Sequence, residues 1–165
     1  MALEKERFQQ QHATAASTVN SIVANLGVLY VKLHQYHWYV QGPHFYTLHE
    51  KFEELYNEVN QNFDEFAERL IAKGEKPYST LAEYLEHASI SEKPYEEKIP
   101  ADQMVENLVN DYRIIRDVTA KGIELSANEE DAVTEDLLTG YKSSVDNTIW
   151  MLQAYIGKTA LEGEK

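Results

Sequence analysis

Apolar residues recur at three- and four-residue intervals along almost the whole chain, the spacing that puts them on one face of an α-helix. Val19, Ile22, Val23, Leu26, Tyr30, Leu33 and His37 keep it for about five turns, until Gly42-Pro43 stops the helix. A second stripe, Leu48, Phe52, Leu55, Val59, Phe63, Phe66 and Leu70, is nearly unbroken and ends before Gly74 and Pro77. A third helix is expected from about Ala101 to Glu124, with Met104, Leu108, Ile115 and Val118 on its apolar side. A fourth starts near Asp131–Thr134 and carries Leu137, Leu138, Tyr141, Val145, Ile149, Leu152 and Ile156. Residues 78–100 form a long connection, with a short helical pattern at 80–88 and breaks at Pro94 and Pro100. The pattern predicts an all-α four-helix bundle. Its middle connection is long enough to cross the full length of the bundle. Periodicity alone allows either that crossover bundle or an unspecialised one.

A length of 165 residues suits one domain and a core that folds without staples. The hydrophobic fraction of 43% excludes a disordered chain. The absence of cysteine excludes disulfide frameworks, thiolate metal sites, iron–sulfur clusters and thiol catalysis. A formal net charge of −13 repels phosphate and anionic membrane and attracts metal cations. The start MALEKERFQQQ has no apolar core of signal-peptide length, and the apolar run Ile22–Val31 is interrupted by Asn25. Neither a leader nor a membrane span is expected.

Histidine placement points to chemistry. Four of the six histidines, His34, His37, His44 and His49, fall within 16 residues. Glu53 follows His49 at the i, i+4 spacing, and Asp64 and Glu68 repeat it, so each pair shares a helix face. Imidazole with carboxylate suits iron, manganese or zinc. A solvated helix face accounts for any one of these acids, and a satisfied core histidine accounts for His37 alone; the set together reads as metal-binding. His49 and Asp64 lie roughly 22 Å apart along one helix, so a single ion cannot touch both within one chain. Two such helices packed antiparallel about a two-fold axis would bring His49 of one chain to Asp64 of the other, giving two equivalent intersubunit sites.

The stretch HQYHWYVQGPHFYTLHEKFEELYNEVNQNFDEFAERLIAKGEKP resembles the signature of the Dps family, the mini-ferritins named "DNA-binding proteins from starved cells". The likeness continues through STLAEYLEHASISE and YKSSVDNTIWMLQAYIGK. It implies a ferritin-like four-helix subunit whose long crossover carries a short helix, and a hollow cytoplasmic homododecamer built on two-fold dimers. It also implies an iron-storing ferroxidase that oxidises Fe(II), preferentially with hydrogen peroxide, stores Fe(III) mineral and protects against oxidative stress. Other divalent metals would enter the same site. The domain would span residues 15–160, between an N-terminal tail at 1–14 and a C-terminal tail at 161–165. Carried over by motif, His37, His49 and Glu53 would come from one subunit, and Asp64 and Glu68 from its two-fold partner. The position of Glu53 is commonly Asp in the family. His34 and His44 fall off the ligand positions, and His34 reads as a supporting residue. Trp38 reads as core packing beside the site.

True ferritins use Glu-x-x-His pairs inside each bundle. Glu65-Phe66-Ala67-Glu68 lacks the histidine, so an intrasubunit di-iron site is not expected. The segment SANEEDAVTED matches the family's acidic pore, with Glu130, Asp131 and Asp136 as lining candidates. An acid-favouring helix N-terminus explains the same residues equally well. The family name invites nucleoid association, but no net attraction to DNA is expected. Lys5 and Arg7 are matched by Glu4 and Glu6, and Lys158 and Lys165 by Glu162 and Glu164.

Overall fold

The computed structural model describes residues 13–164, so most of the expected N-terminal tail, residues 1–12, lies outside it. Five helices account for the regular structure of the described residues: α1 Ala15–Tyr39, α2 Phe45–Ala72, α3 Leu81–His87, α4 Ala101–Asn128 and α5 Ala132–Tyr155. Thr14 and Ser17 start α1 with a reciprocal capping box, and Thr80 and Glu83 do the same for α3. At the end of α2 the chain reverses through Gly74 (φ +78°), and Glu75 N–H donates to Leu70 C=O at 2.8 Å. α4 runs one turn beyond the expected Glu124; in that turn Ser126 is buried and satisfies its hydroxyl on the Gly122 carbonyl.

Side-chain contacts fix the topology. Tyr36 near the end of α1 meets Asn107 near the start of α4, while Ala15 at the start of α1 donates to Glu129 just after α4. α1 and α4 are therefore antiparallel. Arg69 at the end of α2 pairs with Asp131 at the start of α5, so α2 and α5 are antiparallel too. Only a crossover that returns along the whole bundle satisfies both, and the expected long-crossover, ferritin-like arrangement is what forms. Ile22, Leu26, Leu29 and Leu33 of α1 form the centre of the core, against Phe52, Leu55 and Phe66, Met104, Leu108 and Ile115, and Leu138 and Ile149.

The crossover is fastened to α1 by polar side chains in sequence order. Asn20 accepts from Tyr78 N–H at 2.8 Å and donates to Lys76 C=O at 3.1 Å. Fully buried Asn25 accepts from Ser89 and Ile90 N–H at 2.7 and 3.1 Å. Lys32 donates to Ser91 C=O at 2.9 Å and pairs with Asp111 at 2.7 Å, and Gln35 donates to Lys93 C=O at 3.0 Å. Burial raises the Asp111 carboxyl against the pull of Lys32. Gly27 lets α3 approach: a Cβ there would stand 2.7 Å from the Tyr84 ring, which also packs edge-on against Phe63 of α2.

One expectation changes. Tyr30 and Trp38 are not core residues of the single chain: they are 38% and 68% exposed, on the outward stripe of α1. The described part of the C-terminal tail is tied to the bundle. Glu164 pairs with Arg113 and Arg116 at 3.0 and 2.7 Å, and Gln153 and Arg113 both donate to the Glu162 carbonyl.

Asn25→Leu keeps the size but removes the acceptor of two amides, one of them buried. It should lower stability by about 2–3 kcal/mol. Hydrogen exchange should accelerate first at Ser89 and Ile90, before the helices of the bundle.

Candidate metal centre

The five-residue turn between α1 and α2 returns the chain sharply enough to lay the last turn of α1 against the first turn of α2. His37 and His49 meet there with parallel rings, 3.7 Å between centroids and 13° between planes. Each ring satisfies the other residue's backbone: His37 Nδ1 lies 2.7 Å from His49 C=O, and His49 Nδ1 lies 2.8 Å from His37 C=O. A carbonyl can only accept, so both Nδ1 atoms carry the proton. The two Nε2 lone pairs are left as the free coordinating atoms of the neutral rings. The His37 carbonyl is also one of those that α1 itself leaves without a partner at its C-terminus. His37 is buried, His49 is half-buried, and Phe45 stacks on the far side of His49 at 4.9 Å.

Glu53 lies one turn after His49 on the exposed face of α2, and Tyr56 donates its hydroxyl to Glu53 Oε1 at 3.1 Å. The Tyr56 ring stands edge-on to His37 at 5.3 Å and stacks on His34 at 3.8 Å. His34 is held in turn by its Nδ1 hydrogen bond to Tyr30 C=O at 2.7 Å, and Trp38 borders it at 5.5 Å. His44 is spent elsewhere, capping α2 by position and meeting Tyr155 edge-on.

Asp64 and Glu68 are exposed farther along α2, and the single chain does not bring them to the histidines. Among the described residues no three His, Asp or Glu side chains converge on one point. Tyr30, Val31 and Trp38 of α1 and Leu81 and Leu85 of α3 expose apolar surface. Tyr56 was not among the residues singled out from the sequence; its position three after Glu53 and seven after His49 was the available signal.

A ferritin-like domain profile matches residues 16–161. The "DNA protection during starvation protein" of Listeria innocua is 49% identical over 144 residues, covering 87% of this chain and 92% of that protein. The chain belongs to the Dps branch of the ferritin-like family. Solved Dps structures agree with the fold of this Dps subunit. The one from Listeria monocytogenes has a TM-score of 0.89 and 47% identity over 91% of this chain and 97% of that one. Another, of Listeria innocua Dps soaked with cobalt, has the same TM-score and identity over 91% and 96%.

At the opposite end of α2 the acidic segment divides. Asp131 is committed within the subunit: it caps α5 through Thr134 N–H at 3.1 Å and pairs with Arg69 at 3.0 Å and Lys73 at 2.5 Å. Its other oxygen also accepts the Thr134 hydroxyl at 2.6 Å. Of the two explanations for this segment, the helix N-terminus describes Asp131. Glu130 and Asp136 remain exposed, with Glu130 in the left-handed region at φ +58°. Burial pushes the Asp131 carboxyl up, but Lys73 and Thr134 outweigh it and hold it well below the usual carboxylate range.

A depressed folded-state pKa gives stability that is complete above the unfolded value, about 4, and is lost as pH falls through the lowered range. Asp131→Asn should therefore cost about 1–2 kcal/mol at neutral pH. In parallel denaturation series, the gap between wild type and variant should stay constant from about pH 5 to 8 and narrow in stronger acid.

Proposed function

We propose that this Dps subunit is a ferroxidase and iron-storage protein whose metal centre is completed by a two-fold partner. The observation that carries this reading is the locked His37–His49 pair, with both Nε2 atoms free and a carboxylate, Glu53, one turn away. Asp64 and Glu68, stranded on the same helix, supply the carboxylates from the partner subunit. The exposed apolar side chains of α1 and α3 are then covered by that partner, which explains Trp38 and Leu85 at the surface of one chain. A homododecamer built from such dimers is the assembly that fits the family.

Fe(II) is the substrate. Two imidazole nitrogens and three carboxylates form a set that accepts Fe(II) and favours the harder Fe(III). Two Fe(II) ions give one electron each to hydrogen peroxide, whose O–O bond breaks. With two protons, two waters form, and no hydroxyl radical is released when both electrons come from iron. Glu130 and Asp136 are the remaining pore candidates, where clustered carboxylates would concentrate incoming cations. The place of action is the cytoplasm; no described helix is long and apolar enough to cross a membrane.

Loading Fe(II) without oxygen and then adding peroxide should produce Fe(III) absorbance faster than adding oxygen, followed by the light scattering of mineral. His37→Ala and Asp64→Ala should each lower the oxidation rate at least tenfold, since each removes a ligand from every site. Mixed and reassembled, the two variants should regain part of the activity, because some dimers keep one intact site. Loss without any rescue would place the centre inside one subunit.

Protection of DNA in this reading comes from removing iron and peroxide, not from binding the duplex. Duplex affinity requires phosphate neutralisation by Lys and Arg. A subunit of net charge −13 offers none overall. A gel-shift at about 0.15 M salt with EDTA should show no sub-micromolar retardation.

A further inference from the structure

The Glu53 carboxylate has a second hold besides the helix it stands on. Its Oε1 accepts the Tyr56 hydroxyl at 3.1 Å, which leaves Oε2 as the oxygen free for a cation. The Tyr56 ring cannot swing freely. It is stacked on His34 at 3.8 Å and 18°, stands perpendicular to His37 at 5.3 Å, and has Tyr30 at its edge at 6.2 Å. His34 is fixed by a hydrogen bond to the backbone of its own helix, Nδ1 to Tyr30 C=O at 2.7 Å. A chain of contacts therefore runs from the α1 backbone through His34 and Tyr56 to the exposed end of Glu53. Glu53 is otherwise a solvent-facing side chain with three rotatable bonds.

We infer that Tyr56, seated on His34, is a positioning residue that holds the Glu53 carboxylate beside the His37–His49 pair, so that the cation meets a pre-set oxygen. This rests on the metal-centre reading above. Pre-setting one flexible ligand removes ordering entropy that binding would otherwise have to overcome. The role belongs to geometry: Tyr56 neither touches the metal nor exchanges a proton with it. His34→Phe retains a flat ring under Tyr56 but loses the hydrogen bond to Tyr30 C=O, so it should keep part of the platform, whereas His34→Ala removes it.

The experiment is calorimetric titration of the assembled, metal-free protein with Co(II), a divalent probe that needs no oxidant. Assembly of each variant is checked by mass. Tyr56→Phe should weaken binding about five- to tenfold, the size of one ordinary, partly solvated hydrogen bond. His34→Ala should do the same in part, and His34→Phe should weaken binding less than His34→Ala does. Glu53→Asp is one methylene too short to reach the Tyr56 hydroxyl, so adding Tyr56→Phe to it should cost nothing more. Wild-type affinity in Tyr56→Phe, or a full additional loss in the double variant, overturns the positioning role. A Tyr56→Phe chain that cannot assemble also overturns it, in favour of a structural one. Cobalt binding that needs His37 but ignores Tyr56 overturns only this inference. Binding that survives His37→Ala at full strength overturns the metal centre and this inference with it.

Discussion

The long crossover can return across the bundle only if its irregular backbone finds hydrogen-bond partners, and α1 supplies them. Asn20, Asn25, Lys32 and Gln35 meet residues 76–93 in order, so one helix serves both as the centre of the core and as the rail for the connection. The cost is a buried amide, whose oxygen accepts two N–H groups while its Nδ2 stays unpartnered, and a largely buried Lys32–Asp111 ion pair between α1 and α4. Gly27 removes the one side chain that would hold α3 away. With the crossover pinned, α2 and α4 run the same way, and the α1–α2 turn is set at one end of the bundle.

That turn is where local folding becomes chemistry. The two histidines are oriented by each other's carbonyls, not by acids, so their tautomer is decided by groups that carry no charge and do not titrate. The carboxylates are treated differently. Asp131 is drawn into ion pairs that tie α2 to α5, while Glu53, Asp64 and Glu68 stay outward. A subunit arranged this way presents two imidazoles and Glu53 at one end of α2 and the Asp64 and Glu68 carboxylates about four to five turns away, on a surface that also exposes aromatic side chains. In the proposed reading, a second copy related by a two-fold axis joins them.

Much of this was legible in the sequence, for a physical reason. Helix periodicity is a local property, so the four long helices and the short one were readable to within a turn, from Val19–His37 through Leu137–Ile156. The misreadings came where a residue's surroundings depend on distant chain. Trp38 and Tyr30 have the composition of core residues, yet the helix rotation points them outward. Asp131 carries the same charge as its acidic neighbours, and only Arg69 and Lys73, some sixty residues earlier, set it apart.

The sequence by itself determined the helical architecture with its crossover, the absence of thiol chemistry, and a set of imidazole and carboxylate donors too widely spaced for one ion on one chain. Spacing along a helix is enough for these, because rise and rotation per residue are constant. Only the tertiary structure decided that His37 and His49 stack and fix each other's free nitrogen, that Tyr56 and His34 brace Glu53, and that Asn25 is the crossover's anchor. Each of those depends on how one turn closes and how two helices cross. That geometry is set by the packing of the whole core, and no local pattern records it.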